Sequence, residues 1–327
     1  MSTSSLPAPS VIDATDADRD DAALAFLRPF LDDPTVTDLF VNGDRGLFVD
    51  RGDGIVRVPS WRASEAEVRR LAVRLIARGG RHLDDASPCV DVRWARGVRV
   101  HAVLAPVAAT GTSISVRVPV WSSPDMARLE GAGMFDAAQR ARLEGLVARR
   151  DNLLIVGATG AGKTTLLAAL LGCVAETERI VTIEEVAELR PAHPHHVALE
   201  ARQANIEGVG GIPVSRLVRE ALRMRPDRLV IGEVRGEEVR ELLLALNTGH
   251  DGGAGTLHAN SLVDVAPRLE ALGALAGMDA GAVARQTVGA IAAIVHVERV
   301  AGRRRVAAWG RPAIRDGRLL IEAREWE

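Results

Sequence analysis

The chain has 327 residues, enough for about two domains, each with its own core. Its formal net charge is −2 and only 3% of its residues are aromatic, so neither bulk positive charge nor base-stacking platforms argue for a nucleic-acid binder. Two cysteines, Cys89 and Cys173, have no metal-ligand spacing and read as buried reduced thiols.

Residues 1–20 are rich in Ser, Pro, Ala and Asp and predict a disordered, solvated tail. No signal-peptide pattern opens the sequence. The longest apolar run, Leu166 to Ala175, is too short to cross a bilayer. The expectation is a cytoplasmic protein, with any membrane contact peripheral.

Residues 21–118 predict a small α+β domain. Asp21 caps an amphipathic helix carrying Leu24, Leu27, Phe30 and Leu31. Thr37–Val41 and Leu47–Asp50, separated by a turn that opens with Asn42-Gly43, read as a hairpin, and Ile55–Val58 as a third strand. Ser64 with Glu67 three residues on is a capping box for a helix to Ala77. Cys89–Trp94, Val98–Leu104 and Ser113–Val118 add three strands. Residues 119–134 carry Pro119, Pro124, Gly131 and Gly133 and read as a linker.

Residues 135–327 predict alternating helices and strands. The helix 136–150 is followed by the strand 153–156, then by Gly157-Ala158-Thr159-Gly160-Ala161-Gly162-Lys163-Thr164-Thr165. This stretch fits the phosphate-binding loop between a strand and a helix, and the helix N-terminus adds partial positive charge. Of 41 lysines and arginines, Lys163 is the only lysine. Where a charge is merely needed the chain uses Arg; at the loop it uses a compact ammonium suited to a narrow phosphate nest. Helix 163–175, strand 179–184, helix 213–224, strand 228–232, helix 236–247, strand 254–257 and helix 261–276 continue the alternation. The fold class expected is α/β, a parallel doubly wound sheet, with helix 280–291 and strands 294–299, 304–309 and 318–322 closing one edge.

Candidate chemistry sits at strand ends. Thr164 is placed to give its hydroxyl to Mg²⁺. Glu233, after Arg228–Gly232, can hold that metal or orient a water. Glu184 and Glu185, after Ile180–Ile183, are candidate bases not separable by spacing. His258 can report on the γ-phosphate. Arg202 follows a strand-like stretch, and Arg223 and Arg225 precede the Glu233 strand; arginines there can complete a phosphate site. His193, His195 and His196 lack acidic or cysteine company and read as a polar loop.

These motifs together are similar to the type II/type IV secretion ATPase family. The residues are Gly157–Thr165; Thr182-Ile183-Glu184-Glu185; Leu222–Arg228 running into Gly232-Glu233-Val234-Arg235-Gly236; and Asn247–Gly252 with Thr256–Ser261. In the first domain Val36–Gly43, Gly97–Val100 and Ser113–Arg117 match as well. Within the family the chain resembles the branch that drives tight-adherence (Flp-type) pilus assembly and its conjugation relatives. The resemblance implies a RecA-like ATPase domain behind a smaller α+β domain, and a homohexameric ring. It implies ATP and Mg²⁺ in a cleft between the domains, and a polytopic inner-membrane platform protein as partner. Lys163 and Thr164 match the phosphate-loop pair, Glu184 the acidic-box glutamate, Glu233 the Walker B glutamate and His258 the histidine box. Arg99 and Arg117 match arginines that reach the phosphates from the first domain, with Arg202 a further candidate. The sequence departs from the family at Glu185, where aspartate is expected, and at Val118-Pro119-Val120. The four-cysteine zinc motif of the type II branch is absent. The alternative reading on the same core is a nucleic-acid translocase or a DNA-transfer ATPase of conjugation. A switch GTPase would need an Asn-Lys-x-Asp motif, which a chain with its only lysine in the phosphate loop cannot hold.

Overall fold

The computed structural model describes residues 22–52, 54–94, 97–118, 125–202 and 209–326. The predicted tail, the Asp21 cap, residues 119–124 of the predicted linker and the loop 203–208 after Arg202 lie outside the described residues. The chain divides into two compact units, Met1–Val120 and Trp121–Glu327.

In the first unit, helix α1 (Ala22–Leu31) precedes strands β1 (Asp38–Asn42), β2 (Leu47–Asp50) and β3 (Ile55–Arg57). Helix α2 (Glu65–Arg78) and strands β4 (Cys89–Arg93), β5 (Arg99–Val103) and β6 (Ser113–Arg117) follow. The sheet order is β3-β2-β1-β6-β5-β4, with every pairing antiparallel. Alternation decides its faces. Leu39, Val41, Val100, Ala102, Ile114 and Val116 are buried, and Val68, Ala72, Leu75 and Ile76 of α2 complete the same core. The capping pair is present: the Glu67 carboxylate accepts from the Ser64 backbone N–H and hydroxyl, both at 2.7 Å.

The second unit opens with a helix, α3 (Met126–Gly131), inside the stretch read as a linker. Asp125 caps it by accepting from the Arg128 N–H at 2.8 Å, and Met126 and Leu129 are buried with Leu143 and Leu146. The linker reading is therefore corrected over residues 126–131. Pro124, Gly131 and Gly133 punctuate a short helix, and proline and glycine mark helix ends as readily as linkers.

Helix α4 (Ala137–Ala148), strand β7 (Leu153–Gly157), helix α5 (Lys163–Leu171) and strands β8 (Ile180–Glu184) and β9 (His196–Glu200) come next. They are followed by α6 (Val214–Ala221), β10 (Arg228–Val234), α7 (Glu238–Leu246), β11 (Ala254–His258), α8 (Val265–Leu275) and α9 (Ala280–Ala290). Strands β12 (Ala293–Val300), β13 (Arg303–Arg315) and β14 (Arg318–Arg324) end the fold. The sheet order is β14-β13-β12-β7-β11-β10-β8-β9, parallel from β12 to β9 and antiparallel at β13 and β14. Strands β7 and β8 are buried along their whole length, as a sheet covered on both faces requires. One core packs α5 against β7, the other packs α7, α8 and α9 against the opposite face.

The N-terminal edge of this sheet is locked by charge. The Arg228 guanidinium, 3% exposed, donates to Glu178 at 2.7 and 3.0 Å, and Arg150 donates to the same carboxylate at 2.5 Å. Both cysteines are exposed rather than buried. Cys89 begins an edge strand and Cys173 follows the end of α5, so neither lies under a second layer.

Candidate functional site

β7 ends at Gly157 and α5 begins at Lys163, so the loop between them lies over the C-terminal edge of the sheet. Gly162 has φ +100°, a backbone that L side chains rarely adopt, and from it the chain enters the helix. The first N–H groups of α5, including those of Lys163, Thr164 and Thr165, have no carbonyl one turn back and mark the positive end of the helix dipole. Ala161 N–H closes the turn on the Ala158 carbonyl at 3.2 Å. Lys163 is buried, and its Nζ donates to the carbonyls of Gly157 and Ala158 at 2.9 and 3.0 Å. Burial pushes this ammonium below the ordinary lysine value; the Glu233 charge opposes that and Arg235 reinforces it.

Glu233 reaches Lys163 electrostatically because of a break in β10. Leu229, Ile231 and Val234 all face the core that contains α7, although strict alternation would put Val234 on the other side. The β10–β11 register slips between Ile231 and Val234, a bulge that re-aims the side chains within it. Thr256 of β11 donates its hydroxyl to the Gly232 carbonyl at 2.6 Å, satisfying the backbone where the ladder is interrupted. Arg235 then pairs with Glu233 at 2.7 Å and lies 3.6 Å from Glu185. Glu238 receives the N–H groups of Arg235 and Gly236 at 2.6 and 2.8 Å and so fixes the turn after the bulge.

The structure separates the two glutamates that spacing could not. Glu184 is 5% exposed, whereas the Glu185 side chain is 59% exposed. Glu184 lies against β10: a Cβ on Gly232 would stand 2.4 Å from its Cγ, so only glycine admits it. Its carboxylate accepts from the N–H groups of Glu188 at 3.1 Å and Leu189 at 3.1 and 3.2 Å. Burial outweighs these bonds and pushes its pKa up to about 7. Ile180 and Leu189 belong to the core that contains α5, and Glu184 shares the parity of Ile180, so it is on the face that carries α5. β8 is the third strand from β7, roughly 14 Å along the sheet.

His258 stands directly beside Gly157 in the β11–β7 register, and its Nδ1 lies 3.5 Å from the Thr159 hydroxyl. Lys163, Thr164, Glu233 and His258 therefore share one neighbourhood, with Glu184 at its flank. Arg202 does not join them. It follows the edge strand β9, four strands from β7, and donates to the Gly210 carbonyl at 2.6 Å. Arg223 and Arg225 lie before the start of β10, at the opposite edge of the sheet from the loop. His193, His195 and His196 serve local bonds: to the Ala175 carbonyl at 3.0 Å, to Arg179 at 2.9 Å and to the Thr182 hydroxyl at 2.9 Å.

Arg99 and Arg117 belong to the first unit. Register pairs Arg93 with Arg99 and Arg99 with Arg117, so three arginines stand side by side on the solvent face of that sheet. Asp91 takes Arg99 at 2.7 Å and relieves part of the like-charge cost. Arg235 and Thr256, part of the quoted motifs but given no role from the sequence, both act at the bulge, and Arg304 lies beside the loop. The last donates from Nε to the Gly160 carbonyl at 3.2 Å. Its only sequence signal was the Arg303-Arg304-Arg305 run after a glycine turn, which a surface hairpin carries equally well.

A family model described as "Type II/IV secretion system protein" matches residues 20–301. A Mycobacterium tuberculosis protein named for conjugal transfer is 51% identical over 288 residues, covering 86% of this chain and 82% of its own. The type IV secretion system protein PtlH of Bordetella pertussis is 32% identical over 265 residues, covering 74% and 78%. Among solved structures, the Legionella pneumophila ATPase DotB superposes with a TM-score of 0.58 at 20% identity, covering 86% of this chain and 78% of that one, a likeness of fold. The second unit has the RecA-like architecture, with the smaller α+β unit before it. With the family model matched over residues 20–301 and a relative 51% identical over 288 residues, the chain belongs to the type II/IV secretion system protein family.

Proposed function

We propose that this chain is an ATP-hydrolysing motor of a secretion or pilus-assembly machine. The observation that carries the reading is the buried Lys163 ammonium held by the carbonyls of its glycine loop, with the Glu233 charge, past the β10 bulge, near enough to oppose the cost of its burial. That arrangement supports phosphoryl chemistry, in which positioning and electrostatic stabilisation do most of the catalysis.

Thr164 and Glu233 offer hard oxygen donors. Among the described residues no group of three His, Cys, Asp or Glu forms a protein-only metal site. The donor set fits Mg²⁺ held largely by a nucleotide's own phosphates, where it would neutralise their charge. The loop N–H groups and Lys163 hold the phosphate chain. Glu233 orients the attacking water. Glu184, with a pKa of about 7, is poised to take up its proton at neutral pH. His258, in reach of Thr159, relays the state of the loop to β11.

In this reading Arg99 and Arg117 approach the phosphates across the domain cleft, and hydrolysis opens and closes that cleft. Arg202, remote from its own loop, serves a neighbouring subunit. The assembly is a homohexameric ring of the tight-adherence or conjugation type, docked on a polytopic platform protein at the inner face of the plasma membrane. No helix among the described residues is long and apolar enough to cross a membrane.

The test is ATP hydrolysis by the full chain, alone and with its membrane partner, against Lys163→Ala. Wild-type turnover no faster than Lys163→Ala in both settings overturns the reading. The conjugal-transfer name of the mycobacterial relative favours one second reading, a DNA-transfer ATPase. Salt-sensitive single-stranded DNA binding that accelerates hydrolysis would select it.

A further inference from the structure

The hairpin formed by β12 and β13 follows the phosphate loop along its length. β12 pairs with β7 only as far as His296 opposite Val156, then runs on to Val300 beyond the sheet edge. At Gly157 the Val297 carbonyl is so close that a Cβ would stand 2.3 Å from it. At Gly160 the carbonyl accepts from Arg304 Nε at 3.2 Å. At Gly162 a Cβ would meet Arg304 Cδ at 3.0 Å and Met134 Cε at 3.4 Å. The hairpin is held there by its own bonds: Val306 N–H donates to the Met134 carbonyl at 2.7 Å, and Arg305 pairs with Glu298 at 2.6 Å.

Arg304 differs from its neighbour in charge balance. Arg305 has a carboxylate, whereas no carboxylate pairs with Arg304 among the described residues. Its Nε is spent on the loop backbone, which orients the planar fork and leaves the two terminal nitrogens beside the loop. Glu233 and Glu185 already take the charge of Arg235, the other guanidinium near Lys163. A triphosphate seated in the loop brings several negative charges, against which α5 and the loop offer one ammonium, and a guanidinium fork is the group best shaped to meet a second phosphate oxygen.

We infer that Arg304 is a second cation, beside Lys163, that the second unit itself supplies to the nucleotide site: it contacts the phosphate chain directly and sets nucleotide affinity. The inference rests on the proposal that the loop binds a nucleoside triphosphate. Because the contact is to phosphate and not to the attacking water, its loss falls on binding and not on the chemical step.

The experiment is calorimetric titration of the full-length wild type, Arg304→Gln and Arg304→Lys with Mg-ADP, paired with steady-state ATP hydrolysis. Arg304→Gln is expected to weaken ADP binding by about tenfold, the scale of one solvent-exposed charge-assisted contact. The KM for ATP rises in step while kcat falls by less than twofold, and Arg304→Lys recovers part of the affinity because it keeps the charge. The inference is overturned if Arg304→Gln binds ADP within twofold of wild type. It is equally overturned if Lys and Gln lose affinity to the same extent, which would make Arg304 a backbone brace. Wild type that binds ADP while Arg304→Gln is unaffected sinks this inference alone. Wild type that binds no nucleotide sinks the nucleotide reading with it.

Discussion

Glu233→Gln is expected to lower ATP turnover by about 10²–10⁴-fold, the range for removing a catalytic acid–base or water-orienting carboxylate. Binding of Mg-ADP should change far less, since Lys163 and the loop N–H groups remain. Glutamine keeps the shape but not the charge, so Arg235 loses its 2.7 Å partner and the buried Lys163 loses the charge that opposes its desolvation. Single-turnover hydrolysis with a parallel ADP titration checks this. Full turnover in Glu233→Gln would transfer the role to Glu184.

Glu184 carries its own signature. Its pKa stands above the ordinary 4.5, at about 7, because burial disfavours the anion. Between those values the folded state holds a proton that the unfolded state has released. Stability therefore falls as pH rises through this window, by roughly 3 kcal/mol at most. Glu184→Gln should flatten that slope, read as urea midpoints at pH 5 and pH 8. It should also remove the rise of turnover with pH near 7.

The second large effect is on stability. Glu178→Ala is expected to cost about 3–5 kcal/mol, because it strands the guanidinium of Arg228 in a nearly closed site. Arg228 cannot move outward cheaply: it fills the space over Gly252, where a Cβ would lie 2.1 Å from its Nη1. Arg150, which also donates to the Asp227 carbonyl at 2.7 Å, is exposed enough to find water. Replacing the buried arginine itself, as in Arg228→Met, removes charge and cost together and should be milder. Urea denaturation of the three proteins orders them. Glu178→Ala unfolding within 1 kcal/mol of wild type would show that the triad contributes little.

The two cases show what was readable from the chain alone. Strands β7 and β8 were legible because a strand covered on both faces is a continuous apolar run, and the turn from β7 into α5 because its glycines lie within a few consecutive residues. The Ser64–Glu67 cap was legible for the same reason: its bonds span three residues. Helix α3 was missed because its proline and glycine flanks also describe a linker, and whether Met126 and Leu129 are buried depends on α4 and α5.

By itself, the sequence determined that a glycine-rich loop joins a buried strand to a helix in a parallel sheet with carboxylates at its strand ends. Those signals are local, set by backbone sterics and by the alternation of apolar residues. Only the tertiary structure decided which carboxylate lies near enough to Lys163 for its charge to act on it. That follows from a register slip between β10 and β11, supported by Thr256, a residue 23 positions from Glu233 in the chain. It also decided that Glu184 is buried while Glu185 is exposed, that Arg228 lies in a charge lock away from the site, and that Arg304 reaches Gly160 across 144 positions of sequence. Each depends on which strands become neighbours, and strand order is a property of the whole sheet that no short window of residues encodes.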